Sequence, residues 1–299
     1  MTEPADRAPA DVVPRPYGDD DVIGAANEIT PERVAAAAAL VTTGRSYSLA
    51  QVLDSASPAQ MWRFWKQELL TDRTTDENSF GSNRQTFVEE SLSGALHSGT
   101  HLDGLAHIGI GGYAYGGRPW GVIAHSDGLT ELGIENLPPI TTRGVLLDVA
   151  AVHGVDLLGD DEGITGDDLE AAARRAGVRV RSGDVVIVHT GWGALWDTDP
   201  ERYNASEPGL VTSAARWCID RRVTVIGADN WAVERVPLVA EDEAFPVHQE
   251  TITRNGVYLL ENVRTAELVA DGVSEFFCVI SPIRMRGASG SMVNPVALV

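Results

Sequence analysis

The sequence has few of the features that mark secreted scaffolds, membrane proteins or nucleotide-binding enzymes. Only two cysteines occur in 299 residues, Cys218 and Cys278, and both lie among apolar residues, which favours buried inert thiols over a disulfide or a thiolate metal site. No apolar run approaches the roughly 18 residues that a membrane helix needs, and residues 1–13 lack the basic and apolar regions of a signal peptide. No GxGxxG or GxxxxGK[ST] phosphate-binding motif follows a predicted strand. These absences predict a cytoplasmic protein.

Positive charge is also scarce. Lys and Arg number 23 against 43 Asp and Glu, which gives a formal net charge of −20. Such a charge repels the phosphate backbone of nucleic acids and the anionic surface of membranes. The composition, with 43% hydrophobic and 22% charged residues, is that of an ordinary globular chain. We therefore expect a small-molecule partner, and neither nucleic acid nor a membrane.

The chain shows no internal repeat and no low-complexity linker. This predicts a flexible N-terminal lead-in over residues 1–15, followed by a single domain over residues 16–299. Capping signals and apolar spacing predict helices at residues 30–41, 57–69, 164–176, 213–220 and 265–271. Runs rich in β-branched residues predict strands at 144–150, 184–190, 223–228, 257–263 and 276–283. Because helices and strands alternate without a strict βαβ rhythm, we expect an α/β or α+β fold on a mixed sheet.

Residues 97–107, with the sequence HSGTHLDGLAH, concentrate three of the seven histidines and an aspartate. Imidazole and carboxylate groups are ligands for Zn²⁺ or Mn²⁺. A straight strand would place His97 and Asp103 about 20 Å apart, and Gly99 and Gly104 disfavour a helix. A strand that bends sharply at both glycines would instead bring the side chains together.

This geometry predicts a metal-binding turn with His97, His101 and Asp103 as ligands. His107 lies outside the tight spacing. It is either a fourth ligand or the general base that acts beside a three-ligand metal site.

Further candidates lie elsewhere in the chain. Glu261 falls within a predicted buried strand, where a carboxylate needs a metal or a cationic partner. His248 precedes that strand, so both residues are candidate metal or substrate contacts. His189 fits a structural histidine better. Aromatic side chains that could form walls for a flat substrate, or pack in a core or interface instead, are Trp231, Trp62, Phe64 and Trp65.

The segment from His97 to His107 resembles the HxGTHxDxxxH signature of the cyclase-like metal-dependent hydrolases, which include bacterial kynurenine formamidase and isatin hydrolase. Many members carry a proline two residues after the aspartate, where this chain has Leu105. The resemblance extends over most of the chain. It implies a swivelling β/β/α-type fold with a mixed, barrel-like sheet and surrounding helices, assembled as a homodimer or homotetramer.

The resemblance also implies site roles. His97, His101 and Asp103 match the metal ligands of the family and His107 matches its catalytic histidine, while His248 and Glu261 match a later histidine and glutamate that complete a metal site in some members. The expected function is a hydrolase that uses Mn²⁺ or Zn²⁺ to activate water against a cyclic amide, as in isatin, or an aryl formamide. The alternatives are a lactone or ester hydrolase, a cyclase or lyase that acts through an enolate, and a non-catalytic metal-binding protein.

Overall fold

A mixed sheet of nine strands lies at the centre of the computed structural model, which describes residues 7–60, 62–71, 73–237 and 243–299. In chain order its strands are β1 (Ser46–Ser48), β2 (His101–Asp103), β3 (Ile140–Asp148), β4 (Val185–His189), β5 (Val225–Ala228), β6 (Tyr258–Glu261), β7 (Glu275–Ile280), β8 (Gly290–Met292) and β9 (Val296–Leu298). The sheet curls into a half-barrel, and the order of the strands across it is β1-β9-β7-β3-β4-β5-β6-β2-β8.

The sheet has a parallel centre and antiparallel sides. Strands β3, β4, β5 and β6 run parallel, and every other pairing is antiparallel. The central strands are apolar on both faces because both faces are covered: Leu146, Ile187 and Leu260 belong to one buried cluster. Leu147, Val188 and Leu259 belong to a second cluster across the sheet. The predicted α/β class with a mixed, barrel-like sheet is confirmed.

Helices cover this sheet, and the one best marked in the sequence forms as predicted. Helix α4 (Gly166–Ala176) begins with a capping box, in which the Thr165 hydroxyl accepts from the Asp168 N–H at 3.3 Å and the Asp168 carboxylate accepts from the Thr165 N–H at 2.8 Å. Gly177, with φ of +69°, ends the helix. The helices are α1 (Pro31–Ala38), α2 (Trp120–Ile123), α3 (Val149–His153), α4 (Gly166–Ala176), α5 (Leu195–Thr198), α6 (Pro200–Ala205), α7 (Thr212–Asp220), α8 (Pro246–His248) and α9 (Ala266–Ala270).

Shorter elements connect these helices and strands. Helical turns of the 3₁₀ type lie at Gly24–Glu28, Tyr115–Gly117, Ile134–Asn136 and Trp192–Ala194, and a π-helix follows α8 at Gln249–Arg254. Two-stranded pairs join Gly163–Ile164 to Gly209–Leu210, Tyr113–Ala114 to Arg118–Pro119, and Ala124–His125 to Gly128–Leu129.

The prediction of a helix at residues 57–69 is wrong. Trp65–Leu69 is a strand that pairs antiparallel with Glu90–Gly94, and we call this pair and its connection the arm hairpin. Lys, Gln, Glu and Leu favour helix locally, but cross-strand pairing with residues more than twenty positions later overrides that preference. Met61, within the predicted range, lies outside the described residues. The arm hairpin is largely exposed: Leu69 is 65% and Leu92 51% accessible.

The N-terminal lead-in is described from residue 7 onward, and residues 1–6 lie outside the described part. Ala8 and Val13 are buried, and the Ala8 N–H donates to the Gly117 carbonyl at 2.9 Å. The division of the chain after residue 15 remains a prediction. Within the described ranges, no helix has the length and apolar character needed to cross a membrane.

Candidate metal centre and its cavity

The register of β2 against β6 brings together two of the predicted side chains. His101 lies directly opposite Glu261, and both are fully buried or nearly so. Residues opposite each other on antiparallel strands have side chains on the same face. His101 Nε2 is therefore 3.1 Å from Glu261 Oε2, and 3.4 Å from Asp103 Oδ1 on its own strand.

His97 joins this group through a bend at Gly99. Gly99 has φ of +58°, the left-handed conformation that glycine adopts most easily. His97 Nδ1 then lies 2.6 Å from Asp103 Oδ1, and its Nε2 lies 3.0 Å from the Ser289 hydroxyl. The His97 ring rests against Gly290 of β8, where a Cβ atom would be 2.5 Å from His97 Cε1. The bend at Gly99 was predicted from the sequence, but the second glycine that makes room for the His97 ring, Gly290 on β8, was not.

His107 returns to the cluster through a tight turn after β2. The His107 N–H donates to the Gly104 carbonyl at 3.0 Å. The ring stacks on His97 with 4.0 Å between centroids, and His107 Nε2 lies 3.8 Å from Asp103 Oδ2. Asp103 therefore faces His97 and His101 with one oxygen and His107 with the other.

His248 reaches the same carboxylates from α8. Its Nε2 lies 3.4 Å from Glu261 Oε1 and 3.8 Å from Asp103 Oδ2. Its Nδ1 lies 2.7 Å from Glu234 Oε2, and the same carboxylate accepts the His248 backbone N–H. Sequence reasoning missed Glu234, because it lies outside the predicted strands and its contact with His248 is visible only in the tertiary structure.

Three buried polar atoms in this cluster make no hydrogen bond of good geometry among the described residues: His101 Nε2, Asp103 Oδ2 and Glu261 Oε2. The 3.1 Å contact between His101 Nε2 and Glu261 Oε2 is an ion-pair contact and not a well-aligned hydrogen bond. Buried polar atoms are almost always paired, so three unpaired ones on neighbouring side chains call for a shared partner. One ligand atom each of His101, Asp103 and Glu261 lies within 4.8 Å of the other two, and the same holds for His97, Asp103 and His107. Nitrogen and carboxylate oxygen donors at this spacing fit a divalent cation.

The histidines and carboxylates of the cluster shift one another's pKa values. Burial opposes charge on His101, but the neighbouring Glu261 and Asp103 carboxylates raise its pKa to about 10. Burial likewise opposes charge on His248, and Glu234 with Glu261 raises its pKa to about 10. Against burial and the nearby Asp103, His101 and His248 lower the pKa of Glu261 to about 2. Protons on these histidines thus occupy the electrostatic position that a cation would take.

His107 differs from its neighbours. Burial is the main cause that lowers the pKa of His107, to about 4, and the nearby His97 and His248 act in the same direction against Asp103. Its imidazole is consequently neutral at pH 7 and able to accept a proton.

A cavity of about 220 Å³ opens beside His107. Its walls include His248 and Glu261 from the cluster, together with aromatic rings. Trp231 is 7% exposed and Trp62 is 83% exposed. The lining residues are Gln60, Trp62, Arg63, His107, Ile108, Trp231, Ala232, Phe245, His248 and Glu261.

The remaining candidates lie away from this cavity. Phe64 and Trp65 are not among its lining residues, and they lie at the start of the arm hairpin. His189 makes a structural contact, with its Nδ1 2.7 Å from the Thr265 hydroxyl and 3.1 Å from Asp229. Cys218 and Cys278 are buried free thiols whose pKa burial raises to about 12.

The protein thus combines a curled mixed sheet with a cluster of histidines and carboxylates, which lies at the side of the sheet formed by β6 and β2. A profile of the family described as "Putative cyclase" matches residues 47–235, which is more than half of the chain. A solved structure described as a novel cyclase is 34% identical, with a TM-score of 0.87, and the match covers 95% of this chain and 98% of that one. The chain belongs to this cyclase family.

More distant solved structures share the fold. Isatin hydrolase A from Ralstonia solanacearum is 21% identical with a TM-score of 0.65, over 91% of this chain and 98% of that one. A predicted metal-dependent hydrolase from Bacillus stearothermophilus is 17% identical with a TM-score of 0.57, over 86% and 98%. The resemblance found in the sequence is thereby confirmed at the level of family and fold.

Proposed function

We propose that this protein is a metal-dependent hydrolase that opens or cleaves an amide of a small cyclic or aromatic carbonyl compound. One observation carries the proposal: three unpaired buried atoms of His101, Asp103 and Glu261 converge beside a neutral histidine at the wall of an aromatic cavity. Two similar folds belong to proteins described as isatin hydrolase and metal-dependent hydrolase, which supports this reaction class.

The proposed ligands are His97, His101 and Asp103, and we include the candidate Glu261 because it lies within reach of one ion together with His101 and Asp103. His97 lies within such reach together with Asp103 and His107. His248 is held by Glu234 and contacts Glu261, so we assign it to the support of that carboxylate. A bound Mn²⁺ or Zn²⁺ would supply an activated water and polarise the substrate carbonyl. The donor set of imidazoles and carboxylates accommodates either metal.

The chain itself supplies proton transfer and positioning. His107 is neutral and lies at the cavity wall, so it accepts a proton from the attacking water and returns one to the leaving nitrogen. Trp231 and Phe245 present aromatic surface that holds a flat ring against this histidine and keeps bulk water from it. Trp62, more exposed, lies at the outer side of the cavity.

A substrate panel tests the reaction class. Protein treated with a chelator should lose turnover and regain it with Mn²⁺ or Zn²⁺, and metal analysis of protein purified without added metal should identify the ion. Isatin, N-formylkynurenine and a dienelactone separate cyclic amide, aryl formamide and lactone activity. Turnover of the lactone alone would reject the amide proposal, and a product that carries no ¹⁸O after turnover in ¹⁸O water would favour a lyase or cyclase.

Replacement of His107 by alanine tests its role. We expect His107→Ala to retain the metal and to lose at least a hundredfold in kcat, because general acid–base catalysis contributes about 10²–10⁴-fold. Metal content and kcat are measured on the same sample. Loss of the metal would show that His107 is a ligand instead.

The assembly belongs to the same proposal. The face of the arm hairpin that carries Leu69 and Leu92 also carries Trp65, and apolar surface exposed in this way is typical of an interface. We propose a homodimer or homotetramer that acts in the cytoplasm, without nucleic acid or membrane partners. Leu69→Glu with Leu92→Glu should reduce the mass measured by light scattering, whereas Val122→Glu, 42% exposed in α2, should not. A monomeric parent protein would contradict the assembly.

A further inference from the structure

Arg63 places a buried guanidinium nitrogen in the cavity wall with nothing to bond. Its Nη1 has no hydrogen-bond partner among the described residues, and the side chain is only 16% exposed. Glu261 Oε2 lies 3.9 Å from Nη1, which is beyond hydrogen-bond distance. A buried guanidinium nitrogen without a hydrogen-bond partner is unfavourable, and on a residue that lines a cavity it offers a contact that a ligand can complete.

Trp231 supplies a second unpaired donor to the same cavity. Its Nε1 is buried and has no partner in the described part of the chain. The backbone around it is fixed, because the Glu207 carboxylate accepts the N–H groups of Trp231 and Ala232 at 2.6 and 2.8 Å. Two residues that line the same cavity thus each carry an unpaired donor, and one of the two is cationic. A partner that suits both donors is an anionic hydrogen-bond acceptor.

The balance of charge around Arg63 points the same way. Asp103 and Glu261 together would neutralise a bound divalent ion, and Glu234 balances the charge of the His248 that it contacts. A bound ion would engage Glu261, and the carboxylate 3.9 Å from Arg63 would then no longer balance the charge of the guanidinium. In a protein with a net charge of −20, an anionic substrate needs such a local cation to enter.

We propose that Arg63, together with the indole N–H of Trp231, binds an anionic group of the substrate, so that the cavity selects carbonyl compounds that carry a carboxylate. The proposal rests on the hydrolase function above and narrows its substrate class. The planar guanidinium matches a carboxylate with two parallel hydrogen bonds, which lysine does not reproduce. Arg63 is therefore a specificity-determining residue that acts on a part of the substrate other than the scissile bond.

Binding is measured first, because it does not depend on turnover. The Mn²⁺-loaded protein is titrated calorimetrically with benzoate and with its neutral counterpart benzamide. Arg63→Gln should weaken benzoate binding by at least about tenfold and leave benzamide binding unchanged, and Arg63→Lys should recover only part of the loss. Trp231→Phe, which removes the donor but keeps aromatic surface, should weaken benzoate by a smaller factor.

The control removes the same charge elsewhere. Arg264 is 45% exposed and pairs with Glu267 at 3.0 Å, so Arg264→Gln should leave benzoate binding unchanged. Equal binding of benzoate by parent and Arg63→Gln protein, with Mn²⁺ content equal in both, would overturn the proposal. The Arg63→Lys variant keeps the test decisive if Arg63→Gln does not fold, since full benzoate affinity with lysine would contradict bidentate recognition.

Turnover gives a second, separate readout. The aryl formamides 2-formamidobenzoate and formanilide share the scissile bond and differ in the carboxylate. The parent protein should prefer the first in kcat/KM, and Arg63→Gln should remove that preference mainly through KM. Equal losses for both compounds would show that Arg63 acts at the reacting carbonyl, which overturns the assignment. If neither compound is hydrolysed while benzoate selectivity persists, the proposed reaction fails and the anion site stands.

Discussion

Gly290 contributes to the candidate centre because it has no side chain and leaves room for the His97 ring. The His97 ring occupies the space above it, and a Cβ atom there would be 2.5 Å from His97 Cε1 and 2.7 Å from the Leu102 carbonyl oxygen. The ring can move but the carbonyl of β2 cannot without a shift of the strand that carries His101 and Asp103. Glycine at this position is thus a requirement of the centre, although it contributes no ligand atom.

Replacement of Gly290 by alanine should displace His97 and weaken metal binding. We expect metal affinity to fall about tenfold or more and the free energy of unfolding to fall by about 1–3 kcal/mol, the usual cost of overpacking. Calorimetric metal titration and urea denaturation measure the two effects. Gly121→Ala is the matched control because no atom lies within 4 Å of its added Cβ. Unchanged metal affinity in Gly290→Ala would contradict this role.

Among the elements, α4 and the arm hairpin represent two ways in which sequence determines structure. Helix α4 is specified locally, by a capping box at Thr165 and a left-handed Gly177. The arm hairpin is specified by pairing between distant segments, and nothing within residues 65–69 alone distinguishes strand from helix. Locally specified elements are the ones for which single-residue changes have calculable effects.

Loss of the cap on α4 should lower stability without an effect on the site. Thr165→Ala removes the hydroxyl that accepts the Asp168 N–H, so the free energy of unfolding should fall by about 1 kcal/mol. Urea denaturation measures the change. Thr212→Ala, at the first residue of α7 rather than at the capping position, should lower the free energy of unfolding by much less. Similar losses in the two variants would show that the cap has no special contribution.

At the scale of the whole molecule, Glu28 joins segments far apart in the chain. Its buried carboxylate accepts from the Tyr17 hydroxyl at 3.0 Å, the Ser182 hydroxyl at 2.6 Å and Arg222 Nε at 2.9 Å. Burial opposes the charge, but these hydrogen bonds prevail and lower the pKa of Glu28 below 4.5. The carboxylate therefore links the N-terminal segment to the residues at the ends of β4 and α7.

Stability should depend on pH through this group. Because the folded pKa of Glu28 is lowered, its contribution is present above the unfolded value of 4.5 and is lost as the pH falls through the lower folded value. Glu28→Gln should cost about 2 kcal/mol at pH 7, and the difference from the parent should shrink below about pH 4. Thermal unfolding of parent and variant across this range of pH measures the difference in stability, and Glu77→Gln, at an exposed position, is the control. A difference that stays constant with pH would contradict the assignment.

Much of the architecture could be predicted from local signals, and the centre only in part. Residues 97–107 are close in sequence, so their spacing alone identified the three histidines and Asp103 as a group. Glu234 and Arg63 were missed because their importance depends on which distant residues face them. Only the tertiary structure places Glu234 against His248 and Arg63 in the cavity wall. The bend at Gly99 was predictable, whereas Gly290 acts across strands and was not.

The position of Glu261 opposite His101 has a consequence for the nascent protein. Strand β2 is flanked by β6 and β8, both of which follow it by more than 150 residues of sequence. At 5–20 residues per second, β2 waits on the order of ten seconds on the ribosome before either neighbour has been made. During that interval no neighbouring strand covers His101 and Asp103 of β2. Selection of the correct ion is therefore deferred to a late event in the life of the chain, when the last strands enclose β2.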